Sequence, residues 1–283
     1  MYPTQELPIS SNSNGRIVER PRIVLTIAGH DPTGGAGITS DIKTFQYFGV
    51  YGLSVVTAVT VQNTSGVFST NPVEAFTIAE QLQVLRRDIP MDAVKIGMLS
   101  MDAVDVVARF AKETAVPIIL DPIIASSNGI PFLEGEAIEK LKTKLLPHCT
   151  IVTPNLGEAS LLTGISLNSE ENIIAAAKAL YDCGVKNILI KGGHASGEYS
   201  DDLFYDGSEV VWFSSPRRAK SVHGTGCLLS ASIASLLAKG YSLREAIHLS
   251  KEFISSMIDA AVAVGSGRAI FQHPQLELSH EQL

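Results

Sequence analysis

Short uninterrupted apolar runs recur along this chain, separated by longer stretches in which apolar residues return every three or four positions. The runs at 23–27, 53–58, 94–96, 117–120, 151–152 and 187–190 are continuous rather than alternating, which predicts strands buried on both faces of a parallel sheet. The periodic stretches predict helices near 38–48, 77–88 and 170–182, the last closed by Gly184 just past its end. Ser242 followed by Glu245 is a capping box that opens a long final helix toward Ala263. Between Leu228 and Leu237 nearly every residue is apolar or small, the pattern of a helix buried all round. Asp206-Gly207, between apolar runs at 203–205 and 210–212, predicts a type I′ hairpin, antiparallel and toward a sheet edge. No repeat, linker or low-complexity block divides residues 21–283, so one α/β domain is expected there. Residues 1–20, rich in Ser, Asn and Pro, are expected to form a flexible tail; without an apolar core segment they are neither signal peptide nor membrane span.

Composition narrows the function classes. Of 283 residues, 45% are hydrophobic and 18% charged, which suits one large buried core. A formal net charge of −7 with no run of Lys or Arg argues against nucleic acid or an anionic membrane as partner. Cys149, Cys183 and Cys227 are odd in number and far apart, so no disulfide framework is expected and the cytoplasm is the default compartment. Neither they nor the histidines have the spacing of a structural zinc site.

In a parallel sheet the carboxyl ends of the strands share one edge, where ligands bind. Each predicted strand here is followed by a polar or glycine-rich cluster: Gly29 to Gly37, Gln62 to Thr64, Gly97-Met98, Asp121-Pro122, Thr153 to Glu158, and Lys191 to His194. Beside them, Gly224-Thr225-Gly226-Cys227 opens the buried helix, whose first N–H groups then want an anion. Lys191 is costly past a buried strand unless a phosphate or a structural acid meets it. Asp121 and Glu158 suit Mg²⁺, which keeps several waters and takes one or two protein carboxylates; equally, either could serve as a helix cap or first-turn acid.

Thr26 to Gly37, Gln62 to Thr64, Lys95-Ile96-Gly97-Met98-Leu99, Thr153 to Glu158, Lys191 to His194 and His223 to Cys227 closely resemble the hydroxymethylpyrimidine/phosphomethylpyrimidine kinases of thiamine biosynthesis, within the ribokinase-like superfamily, over about residues 22–265. His30, Gly157 and Ala269 depart from the usual pattern. The resemblance implies a three-layer α/β/α sandwich with a mostly parallel central sheet, a homodimer, and ATP- and Mg²⁺-dependent phosphorylation of a pyrimidine hydroxymethyl group and then of its monophosphate. It places Gly29, Asp41 and Met98 around the substrate, Lys191, Asn155 and Thr225 on the nucleotide, and Gly224, Thr225, Gly226 and Cys227 at the transferred phosphoryl group. Gln62 is expected to read the ring, since a side-chain amide can pair with a ring nitrogen and an adjacent amine in one plane. Cys227 stands where wider ribokinase-like enzymes place an Asp base, so a thiolate is expected there, with a pKa below the free value of about 8.5. Pyridoxal phosphorylation on the same scaffold and non-catalytic pyrimidine binding are the competing readings. A dinucleotide-dependent dehydrogenase lacks its Gly-x-Gly-x-x-Gly signature after the first strand.

Overall fold

A computed structural model describes residues 20–192, 197–218 and 220–272, together with the backbone of a short antiparallel pair, β1 (Ser10–Ser11) and β2 (Ile17–Val18). The rest of the expected tail, Gly193, His194 and the segment beyond 272 lie outside the described residues. Arg20, at the edge of that tail, hydrogen-bonds Asp92 and the Pro90 carbonyl.

Among the described residues, nine further strands form one sheet: β3 (Ile23–His30), β4 (Tyr51–Asn63), β5 (Gly66–Pro72), β6 (Ala93–Ile96), β7 (Ile118–Leu120), β8 (Ile151–Val152), β9 (Ile188–Ile190), β10 (Tyr199–Tyr205) and β11 (Val210–Pro216). Their order is β11-β10-β9-β8-β7-β6-β3-β4-β5. β4, β3, β6, β7, β8 and β9 run parallel, and antiparallel partners close both edges. Continuous apolar runs stand here because alternate residues enter different cores: Leu25, Ile27, Val94, Ile96, Ile118 and Leu120 pack on one face, Val24, Ala93 and Ile119 on the other. The first face is covered by α2 (Ala75–Asp88), α3 (Met101–Lys112), α4 (Glu136–Lys140) with its π-helical extension Leu141–Leu145, and α6 (Glu170–Asp182). The second is covered by α1 (Gly37–Tyr47), α7 (Thr225–Ala238) and α8 (Leu243–Ala260). The three-layer sandwich is thus realised.

Several expectations are adjusted. The final helix keeps its Ser242/Glu245 capping box but ends at Ala260, short of Ala263. β4 runs on to Asn63, so Gln62 sits on a strand rather than in the loop after it, and its hairpin partner β5 carried no clear apolar run. The Asp206-Gly207 turn is not type I′. Tyr205 pairs with Val210 across a four-residue loop, in which Asp206 Oδ1 accepts from the Ser208 and Glu209 amides. Only Gly207 there has a positive φ, whereas a type I′ turn needs two such residues.

Candidate active site

From β3 the chain passes to β4 on one side and later to β6 on the other, so the sheet order reverses around β3, the place where open α/β sheets bind ligands. A cavity of about 600 Å³ opens there. Gly29 closes β3, Gln62 lies near the end of β4, and Met98 and Asp121 follow β6 and β7. Asn155 caps α5 (Leu156–Thr163) and Glu158 lies in its first turn. Lys191 follows β9, and Gly224 to Cys227 open α7. All of these line the cavity. Asp41 does not: it is wholly buried on α1, where it pairs with Lys95 at 2.8 Å and accepts from the Thr26 hydroxyl.

The α7 N-terminus is built by close backbone approach. Gly224 has φ +81°, and a Cβ there would stand 1.9 Å from the Gly35 carbonyl oxygen, so only glycine fits. The first helical bond runs from the Leu228 amide to the Gly224 carbonyl, leaving the preceding amides of α7 without an acceptor in their own helix. Lys191 lies over this turn, its ammonium 3.0 Å from where a Gly226 Cβ would be and 2.6 Å from Asp121 Oδ1. Burial would lower the Lys191 pKa, but the Asp121 and Glu158 charges override it and raise it. The strand end carrying Lys191 is anchored from below: the Gly192 amide donates to Asp202, which pairs with Lys251 at 2.7 Å.

Glu158 completes a capping box with Asn155, accepting its amide at 2.7 Å. Burial and the neighbouring Asp121 push the Glu158 carboxyl up to about 7 against the attraction of Lys191. Two buried carboxylates that repel one another at the wall of this cavity suit a divalent cation, which would return Glu158 to its ionised form. Among the described residues no group of three or more His, Cys, Asp or Glu is placed to hold a metal ion.

The thiolate expected at Cys227 is not supported. Burial pushes its thiol up to about 11, with the Asp41 and Asp121 charges adding to the rise, and the lowering by Lys95 does not compensate. Lys95, wholly buried in an otherwise apolar strand, escaped the sequence reading; a charge inside such a run was the signal for it. His223 and Asp31, 3.0 Å apart at the cavity wall, were missed as a pair, and 192 positions separate them. Burial would raise the Asp31 pKa, but hydrogen bonds from His223 and Thr33 hold it below the usual carboxylate range.

The phosphomethylpyrimidine kinase family model matches residues 31–272. A hydroxymethylpyrimidine/phosphomethylpyrimidine kinase from Haemophilus influenzae is 41% identical over 257 residues, spanning 88% of this chain and 96% of that protein. The chain belongs to the phosphomethylpyrimidine kinase family. Among solved structures, a family member from Clostridium difficile superposes with a TM-score of 0.74 at 37% identity, over 84% of this chain and 99% of that one. The Staphylococcus aureus pyridoxal kinase in complex with ADP superposes at 0.83 with 31% identity, over 90% of this chain and 94% of that one. Thus the phosphomethylpyrimidine kinase fold is shared with pyridoxal kinases, and the acceptor must be argued from the cavity wall.

Proposed function

We propose that this chain transfers the γ-phosphoryl group of ATP to the hydroxymethyl group of 4-amino-5-hydroxymethyl-2-methylpyrimidine, and then to the monophosphate, in thiamine diphosphate biosynthesis. One observation carries the reading: a side-chain amide, Gln62, and an anion-binding helix start, Gly224 to Cys227, line the same cavity. The amide matches an amine beside a ring nitrogen, and the helix start matches phosphate. The relatives' names and the ADP-bound pyridoxal kinase support the same pairing of acceptor and nucleotide.

Phosphoryl transfer asks the protein for in-line positioning and for donors to the equatorial oxygens. We assign the α7 amides of Thr225 and Gly226 and the Lys191 ammonium to that task, with Asn155 and Thr225 on the nucleotide phosphates. Gly29 and Met98 pack the pyrimidine ring, and Gln62 orients it. Asp41 acts from behind this wall, where its pair with Lys95 sets the charge around Cys227. Mg²⁺, when bound, neutralises charge on the phosphate oxygens, and Asp121 and Glu158 are the carboxylates we assign to it, directly or through water. Cys227, held as a thiol, is not a preformed base; in a loose transition state the acceptor proton departs late, and it passes to an oxygen of the transferred phosphoryl group or to water.

No helix among the described residues is long and apolar enough to cross a membrane. The three cysteines are free, which supports the cytoplasm as compartment. Exposed Val59, Val61 and Phe68 on the β4–β5 hairpin support a homodimer joined through that hairpin.

The test is ATP consumption by the purified chain with the pyrimidine alcohol, its phosphate and pyridoxal, beside calorimetric titration of each. The expected kcat/KM is highest for the two pyrimidines. A preference for pyridoxal makes the chain a pyridoxal kinase, and pyrimidine binding without ATP turnover makes it a binding protein.

A further inference from the structure

We infer that His223 fixes the orientation of the Gln62 amide, its oxygen toward the imidazole and its NH₂ toward Thr60, and thereby sets the direction in which a substrate ring is read. The inference rests on the pyrimidine reading above.

An amide has nearly the same shape with its oxygen and nitrogen exchanged, so its orientation follows from the donors and acceptors around it. One end of the Gln62 amide lies 3.2 Å from Thr60 Oγ1, and the other lies 2.9 Å from His223 Nε2. As the heavy atoms stand, Oε1 faces Thr60 and Nε2 faces His223. Both ends conflict with that arrangement. The Thr60 hydroxyl has one proton, and 2.9 Å away lies the His30 carbonyl oxygen, which can only accept. With the proton given to His30, Thr60 Oγ1 is an acceptor toward Gln62 and requires the NH₂.

The other end gives the same answer independently. His223 Nε2 lies 3.0 Å from Asp31 Oδ2, an oxygen that already accepts from the Thr33 hydroxyl at 2.9 Å and the Ala36 amide at 3.0 Å. An ionised carboxylate only accepts, so His223 Nε2 carries a proton and donates. A donor there requires the Gln62 oxygen, and the N–H is shared between that oxygen and Asp31 in a three-centre bond. Exchanging the two amide atoms therefore satisfies His30, Thr60, Gln62, His223 and Asp31 together.

The consequence is directional. The substrate amine is met by the amide oxygen on the His223 side, and the ring nitrogen by the NH₂ on the Thr60 side. Pyridoxal has no amine beside a ring nitrogen, so the orientation matters to the pyrimidine and not to it. His223 also immediately precedes Gly224, so the residue that orients the ring reader is joined to the turn that binds phosphate. His223 is a positioning residue that acts through Gln62.

The experiment is a double-mutant cycle on the full chain, with wild type, His223→Leu, Gln62→Met and the double variant assayed for the pyrimidine alcohol at saturating ATP. His223→Leu is expected to lower kcat/KM by about 10- to 100-fold, chiefly through the pyrimidine KM, as for loss of a charge-assisted hydrogen bond. In the Gln62→Met background the same change is expected to cost under about threefold, and His223→Gln, which can restore an N–H donor, to recover most of the loss. Equal losses in both backgrounds overturn the inference, because His223 would then act on the phosphate turn or the fold. Nitrogen-15 spectra of histidine-labelled wild type at neutral pH give a readout free of both folding defects and substrate choice. A protonated Nε2 at His223 is expected, and a bare Nε2 with its proton on Nδ1 overturns the inference even if the pyrimidine is phosphorylated.

Discussion

Truncating the Gln62 amide to a thioether leaves an aminopyrimidine edge with no partner for its amine or ring nitrogen. Gln62→Met is therefore expected to reduce kcat/KM for the pyrimidine alcohol by about 1–3 kcal/mol while the ATP KM barely moves. Steady-state kinetics with each substrate varied in turn check this, and an unaltered pyrimidine kcat/KM removes Gln62 from the ring contact. Cys227 makes a second claim at this scale, with its sign set by burial. Its thiolate forms only as pH climbs toward about 11, so iodoacetamide labelling of the Cys227 peptide should stay slow at pH 7–8 and rise through pH 10. Labelling that reaches its plateau below pH 8 contradicts the buried-thiol account. A helix N-terminus pointed toward a low pKa when read from sequence, because the Gly-Thr-Gly-Cys motif shows the dipole but not the desolvation. The burying residues, and Asp41 with its charge, come from elements far away along the chain.

Helix α5 shows how one capping motif serves both folding and chemistry. Its Asn155/Glu158 box closes the helix start, yet places the Glu158 carboxyl beside Asp121 with a pKa near 7. The folded pKa lies above the unfolded value, so protonated Glu158 favours the native state. That contribution is complete below the unfolded pKa of about 4.5 and is lost as pH rises through about 7. Without Mg²⁺, stability is expected to fall by about 1–3 kcal/mol between pH 5 and 8, less for Glu158→Gln, as read by urea denaturation. Glu158→Gln and Asp121→Asn should also raise the Mg²⁺ needed for half-maximal rate; unchanged metal dependence in both returns these residues to capping and ion pairing. Helices α1, α2, α6, α7 and α8 and the buried strands were legible because apolar period and capping chemistry are local; α3, α4 and α5 were not among the helices expected. The π-helical extension after α4, strand β5 and the loop at Asp206 were not, because packing and an Asx turn decide them rather than propensity. Site residues at strand ends were legible for a topological reason: a parallel sheet gathers them on one edge whatever their separation in sequence. Pairs such as Asp202–Lys251 and Asp31–His223 needed the fold itself.

For the whole molecule, the exposed Val59, Val61 and Phe68 of the β4–β5 hairpin are expected to be covered by a second copy, and light scattering should give about twice the 30.2 kDa chain mass. Val61→Lys should shift that value toward the monomer, and a wild type that stays monomeric at micromolar concentration rejects the hairpin as a dimer surface. The sheet's reversal around β3 gives a cavity lined by both Gln62 and the Gly224 to Cys227 turn. A single site of that kind has to serve both the alcohol and its phosphate. The most direct measurement of this is a mass-spectrometric time course with ATP, Mg²⁺ and 4-amino-5-hydroxymethyl-2-methylpyrimidine. The account predicts the monophosphate first and the diphosphate after it, one ADP for each phosphoryl group transferred, and loss of both steps in Lys191→Ala. No phosphorylated pyrimidine at all, whether or not pyridoxal supplied in its place is phosphorylated, would contradict it.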